Sequence, residues 1–449
     1  MREGRPDASL RRPLAWDAPE FDDPEAIDAE LRRVFGICQG CRRCSGLCDA
    51  FPRLFALIDK APSSGLDTVD PAGFKAVADA CTLCDMCFRT ECPYVPPHPL
   101  EVDFPHLMLR HRAAEFRRGE RRFEDREVAA TDRNGRAGGM AAPLANWALD
   151  TANEPVRTLI EGLAGVHREA ALPRFHHESL EHRAMAGAPA LNEAAPAFGR
   201  RAALYATCLG NYNEPETGLA ARAVLARNGV ETHIVHPGCC GMPQLELGDI
   251  GTAARRAGRI APELLALADA GYDIVALMPS CALMLKSEWP LLLPGNEDVA
   301  RLARSVFDLS EYVVDIARRE GLAEGLKPLD GPVAVHVACH ARAQTMGRKA
   351  AELLALIPDT AVEVIESCSG HGGFRGCLKD NFETALRLGR PVARRALEVG
   401  GPVVSECPLA ALHIAQGIQR LDPDAPPRPV GHPIRLLARA YGFEEDAAP

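Results

Sequence analysis

Two runs of cysteine carry the strongest chemical signal in this chain of 449 residues: Cys38-x2-Cys41-x2-Cys44-x3-Cys48 and Cys81-x2-Cys84-x2-Cys87-x4-Cys92-Pro93. Three thiolates at successive gaps of two can fold round one corner of an iron–sulfur cube. Backbone N–H groups then turn toward its sulfurs, and a fourth thiolate arrives from elsewhere. Zinc, the competing metal, usually meets its four ligands as paired Cys-x2-Cys knuckles, a rhythm that these runs of four do not have. Two departures stand out. Asp49 follows Cys48 where proline often stands, and the second run has one residue more than the usual three before its last cysteine. Neither removes a ligand.

In two-cluster ferredoxins the fourth cysteine of a run serves the other cube. That rule groups Cys38, Cys41 and Cys44 with Cys92, and Cys81, Cys84 and Cys87 with Cys48, around two neighbouring [4Fe–4S] clusters. The other eight of the 16 cysteines spread from Cys208 to Cys407, after 115 positions with none. The N-terminus is rich in proline and charge and has no apolar stretch of signal-peptide length, so the cytoplasm is the expected compartment. Cysteines there serve metals or redox chemistry rather than structural disulfides.

Helices must deliver the first cysteines. Asp23-Pro24 reads as an N-cap with proline at the first helical position, and Ile27, Leu31, Val34 and Phe35 recur at helical spacing on the way to Cys38. Phe51, Leu54, Phe55 and Ile58 repeat the pattern, as do Phe74, Val77, Ala78 and Cys81, so residues 1–115 read as an all-α part with metal sites at helix ends. Residues 116–200 read as a linker with a helical segment. Interleaved arginines and acids from Phe116 to Gly138 suggest a solvated connector, and His167, His176, His177 and His182 read as surface or interdomain histidines.

The second half repeats itself, as residues 201–325 and 326–449. Three β-like runs, ending near Cys208, Cys239-Cys240-Gly241 and Cys281, alternate with helical stretches, and the order recurs before Cys339, Cys368 and Cys407. The offsets are 131, 129 or 128, and 126 residues, so a duplicated unit is the economical explanation. Strands alternating with helices imply parallel sheets, whose ligands gather at strand carboxyl ends. The cysteines occupy those ends. The fold class is therefore α/β with an all-α part.

These features resemble the family of iron–sulfur proteins that includes the C subunit of anaerobic glycerol-3-phosphate dehydrogenase, the iron–sulfur subunit of glycolate oxidase and the B subunit of heterodisulfide reductase. The resemblance implies a helical two-cluster ferredoxin domain followed by two cysteine-rich domains of the CCG type. In that family each such domain has a lone cysteine, a Cys-Cys-Gly and a Cys-x-x-Cys. Cys208, Cys239-Cys240-Gly241 and Cys281 match, with Met284 where the last cysteine would be. Cys339, Cys368-Ser369-Gly370 and Cys407 match less fully, with Ser369 and Ala410 at the missing positions. The first set suffices for a further iron–sulfur cluster, since adjacent thiolates reach separate metal corners more easily than one small ion. For the second set, a cluster, zinc and a structural core all stay open, with His340, His371 or Cys377 as possible helpers.

The loop Ser369–Gly376 is glycine-rich but lacks a GxGxxG spacing, and no nucleotide fingerprint appears elsewhere, so neither flavin nor nicotinamide is expected on this chain. A two-electron donor must then come from a partner. The expected function is that of an electron-transfer subunit, relaying electrons from a flavoprotein dehydrogenase, of small hydroxy acid or glycerol phosphate type, to a quinone or disulfide acceptor. The alternative is a cluster-based redox or iron sensor. A net charge of −10 argues against nucleic acid. The longest stretch free of charged residues, Thr232 to Leu245, has 14 residues, too few to span a bilayer, so membrane contact would be peripheral, at the inner face and through a partner.

Overall fold

The computed structural model describes residues 11–63 and 65–443, a helical N-terminal part followed by two α/β units. The two central strands of each unit are short, largely buried runs dominated by apolar residues, the pattern of parallel strands covered by crossover helices. In the first unit β1 (Arg201–Tyr205), β2 (Glu231–Val235), β3 (Asp273–Ala276) and β4 (Val306–Asp308) pair in parallel in the order β2-β1-β3-β4. Leu204 lies opposite both Ile234 and Val275. In the second, β5 (Val333–His336), β6 (Val362–Ile365), β7 (Val403–Ser405) and β8 (Val430–Gly431) take the matching order β6-β5-β7-β8. The fourth strand of each sheet is too short to show a period in sequence.

The chain leaves the first strand of each sheet toward one neighbour and then crosses to the other side. Such a reversal opens a crevice at the strand carboxyl ends. Cys208 follows β1, Cys239 and Cys240 follow β2, and Cys281 follows β3; Cys339, Cys368 and Cys407 follow β5, β6 and β7.

In the N-terminal part, Asp23 caps the helix Pro24–Cys41 by accepting the Glu25 N–H at 3.0 Å. Its buried stripe joins an aromatic core in which Phe35 meets Phe74 edge-on at 5.2 Å and Phe51 lies 4.7 Å from Phe104. That core continues without a break into the first α/β unit, through Ile260, Ile274 and Trp289. Two buried arginines fasten the junction. Arg112, in the helix Phe104–Arg117, donates to the carbonyls of Ala78 and Cys81 and, at 3.0 Å, to that of Glu246 in the first unit. Arg11 sits among Asp85, Asp103 and Glu288, with its guanidinium 4.5 Å from the centre of the Phe88 ring.

The segment expected to be a solvated connector is instead helical, over Phe123–Ala129 and Thr131–Met140, and part of it is buried. Arg121 pairs with Asp79 at 2.8 Å and Glu115 at 2.6 Å, so the interleaved charges serve tertiary contacts as well as solvation. His167 stacks on Phe382 at 4.1 Å, an interdomain role. Among the described residues no helix is long and apolar enough to cross a membrane.

Removing the Arg112 fork orphans buried carbonyls on two sides of the junction, at about 1–3 kcal/mol each. Arg112→Met is expected to lower stability by at least about 3 kcal/mol, and Arg112→Lys to recover only part of it, because an ammonium lacks the planar fork. Chemical denaturation of the two variants checks this. A second expectation concerns acid. His432 caps the helix Pro433–Ala440, its Nδ1 accepting the Ile434 N–H at 3.1 Å, and burial, then Arg435, pulls its pKa down to about 3. Below the unfolded value of about 6.5 the unfolded chain binds the extra proton, so this stability is full above that pH and falls by about 1.4 kcal/mol per pH unit below it. His432→Asn keeps a cap. Its thermal midpoint should lie near that of the parent at pH 7.5 and above it at pH 5.

Candidate metal centres

The first cysteine run starts in the last turn of the helix Pro24–Cys41, which Arg42 ends in the left-handed conformation (φ 51°). The second starts at Cys81, where the helix Phe74–Ala80 stops, and Leu83 and Asp85 also turn left-handed (φ 51° and 63°). For residues other than glycine that conformation is costly. Here it wraps the backbone round the sulfurs, and the Leu83 N–H donates to Cys81 Sγ at 3.4 Å.

The structure brings the sulfurs together in two groups. Burial, then the proximity of Cys92, Cys44 and Cys41, pushes the Cys38 thiol up to about 12. Cys44 rises to about 11 by burial and the proximity of Cys92, Glu91 and Cys41, and Cys92 also borders Cys41. In the other group Cys48 is raised by burial, Cys84 and Cys81, and Cys87 by burial, Cys81, Cys84 and Cys48. Cys92 thus lies with the first three cysteines of the first run and Cys48 with those of the second.

In the first α/β unit, Thr207 takes a positive φ of 62° and caps the short helix that begins at Cys208, accepting the Gly210 N–H at 3.2 Å. Cys239 and Cys240 precede Gly241, whose φ of 92° and approach to Ala253 exclude a side chain. The loop is anchored by Trp289, which donates to the Cys240 carbonyl at 2.9 Å. Cys239 lies beside both Cys208 and Cys240, and Cys240 beside Cys281, so the four sulfurs gather in one place. Gly241 N–H donates to Cys239 Sγ at 3.5 Å, and the thiol contacts lower the Cys239 pKa while raising those of Cys208 and Cys240.

Among the described residues, the one set of three His, Cys, Asp or Glu donor atoms all within 4.8 Å of one another is Asp132, Cys208 and His236. The cysteine groups are therefore more widely spaced than the ligands of a single tetrahedral zinc ion. Asp132 Oδ1 lies 3.0 Å from His236 Nε2, and Thr131 Oγ1 lies 3.8 Å from Cys239 Sγ. Sequence reasoning missed this contribution from the connector, because Asp132 lies far from Cys208 along the chain and no local spacing joins them.

In the second unit Cys339 borders Cys368, Cys407 and also Cys84 of the N-terminal part. Cys368 Sγ accepts the N–H of Gly370, which has φ 80°. Cys377 lines the same cavity as Cys339, Cys368 and Cys407, with its thiol donating to the Phe374 carbonyl at 3.0 Å. His336 has both nitrogens engaged, with Ser405 Oγ at 3.0 Å and the Ser367 carbonyl at 3.1 Å. The glycine-rich loop explains itself by close approach: a Cβ on Gly372 would meet Thr82, one on Gly373 would meet Glu246, and Arg375 reaches the Asp79 carbonyl at 2.5 Å. One cavity of about 680 Å³ is lined by Cys48 and Cys84, by all four cysteines of the first unit, and by Cys339, Cys368 and Cys407.

The sequence profile described as "Cysteine-rich domain" (CCG) matches residues 202–286 and 333–415. The C subunit of anaerobic glycerol-3-phosphate dehydrogenase from Escherichia coli (strain K12) is 28% identical over 320 residues, which cover 70% of this chain and 76% of that protein. The B subunit of fumarate reductase (CoM/CoB) from Methanothermobacter marburgensis is 29% identical over 230 residues, 49% of this chain and 43% of that protein. Lactate utilization protein A of Geobacillus thermodenitrificans is 30% identical over 183 residues, 38% of this chain and 73% of that protein. The two matched segments run along the first three strands of each duplicated sheet and enclose their strand-end cysteines, and the chain belongs to the CCG cysteine-rich domain family, whose domain it carries twice.

Proposed function

We propose that this chain is the electron-transfer subunit of an oxidoreductase. Residues 1–115 would act as a ferredoxin-like domain, with Cys38, Cys41, Cys44 and Cys92 holding one [4Fe–4S] cluster and Cys48, Cys81, Cys84 and Cys87 a second. Cys208, Cys239, Cys240 and Cys281 would hold a further cluster. The donor sets fit. They are all-thiol and spaced beyond the reach of one ion, and Cys81 and Cys239 accept backbone N–H groups from Leu83 and Gly241. Clusters bound there supply one-electron redox chemistry.

The observation that carries the reading is continuity: Cys84 borders Cys368, and Cys339 borders Cys84, so the Cys48 group and the second unit meet across one cavity. The residues' part is to hold the sulfurs in place and limit water. Phe51, Phe55 and Tyr94 screen the Cys38 group, and Arg112, held on the Cys81 carbonyl, adds positive charge beside the Cys48 group. The relatives named as dehydrogenase and reductase subunits support a dehydrogenase partner, taken here to be a flavoprotein, with a quinone or a disulfide as acceptor.

Protein prepared without oxygen is expected to hold about 8 iron atoms with the N-terminal pair filled and about 12 with the first CCG site filled as well. Iron staying near 4 after saturation with iron and sulfide sinks the reading. Cys84→Ala should lose about 4 irons and, in the complex with the flavoprotein, the reduction of a dye acceptor.

A further inference from the structure

The second CCG unit lacks two of the thiols that the motif calls for, at Ser369 and Ala410, and the structure puts imidazoles beside both positions. Cys407, Ala410 and His413 succeed one another at three-residue spacing from the start of the helix Pro408–Leu421, and all three line the cavity. Side chains on a helix lean toward its N-terminus, which directs His413 toward the turn that holds Ala410, and its ring also bonds the Ala385 backbone. His413 is 8% exposed, and its Nε2 is buried with no hydrogen-bond partner. A buried polar atom left without a partner is destabilising unless a ligand satisfies it. His371 stands two residues after Ser369, lines the same cavity, and meets the His413 ring edge-on at 6.4 Å between centroids. His336, by contrast, has partners on both nitrogens and reads as structural.

We propose that the second unit binds iron through a mixed set, the thiolates of Cys339, Cys368 and Cys407 with the imidazoles of His371 and His413 in place of the two missing cysteines. The inference rests on the reading that this chain carries iron–sulfur clusters. Its consequence is asymmetry between the repeats. Neutral imidazoles leave the site with less negative charge than thiolates would, and imidazole in place of thiolate raises a cluster's potential. The second unit is therefore the more readily reduced of the two CCG sites, and it is the one that borders Cys84.

The test uses the full chain reconstituted with iron and sulfide without oxygen, grown with and without 15N-histidine. Pulsed EPR of the dithionite-reduced protein is expected to show strongly coupled nitrogen that changes with the label and is lost in His371→Ala/His413→Ala. Adding Ala410→Cys to His413→Ala should restore the iron lost in the single variant, with weaker nitrogen coupling and a lower midpoint in a redox titration. The inference is overturned if the N-terminal iron is present, at about 8 atoms, while no signal carries a histidine nitrogen or the double variant keeps all its iron. Iron below that level indicts the electron-transfer reading instead, so the two failures are distinct.

Discussion

Four sulfurs crowded into one buried place cannot all be negative unless positive charge joins them. Burial and neighbouring sulfurs push Cys38 and Cys84 up to about 12 and Cys44 to about 11. In the first CCG unit the conflict is divided, with Cys239 favoured as thiolate between two raised thiols. Metal coordination removes the conflict, since a coordinating thiol is deprotonated outright. A fold that assembles such groups must hold them against their own repulsion. Helix ends and strand ends do this better than long loops, because the elements behind them are packed into a core.

The same demand accounts for the buried arginines. Arg112 gathers carbonyls from the end of one helix, from Cys81 and from the first CCG unit, which fixes a cysteine and an interdomain distance with one side chain. Arg375 does a smaller version of this from the glycine-rich loop, where Gly372 and Gly373 let the backbone pass against the side chains of Thr82 and Glu246. Three parts of the chain thereby share the walls of one cavity, and none of the cysteine groups facing it depends on a single element.

Much of this was legible in the sequence. Asp23-Pro24 announced its helix, and the duplicated order of β-like runs announced two like sheets. What escaped has physical reasons. β4 and β8, at three and two residues, are shorter than the period that would reveal them. Arg121 looks like a solvated charge until Glu115 and Asp79 are seen beside it. Asp132 and His236 meet only because a connector helix folds over the first sheet, and His413 gains meaning only from the helix face it shares with Ala410.

The knot around Arg11 has a consequence for how the chain is made. Glu288 lies 277 residues after Arg11, whereas Asp85 and Asp103 lie 74 and 92 residues after it. At a synthesis rate of about 5–20 residues per second, Arg11 waits about 15–55 s for its last partner. During that interval the helical part has its cysteines but not the wall against which it finally packs. The first eight thiols therefore leave the ribosome in a looser, more open setting than the finished molecule offers them.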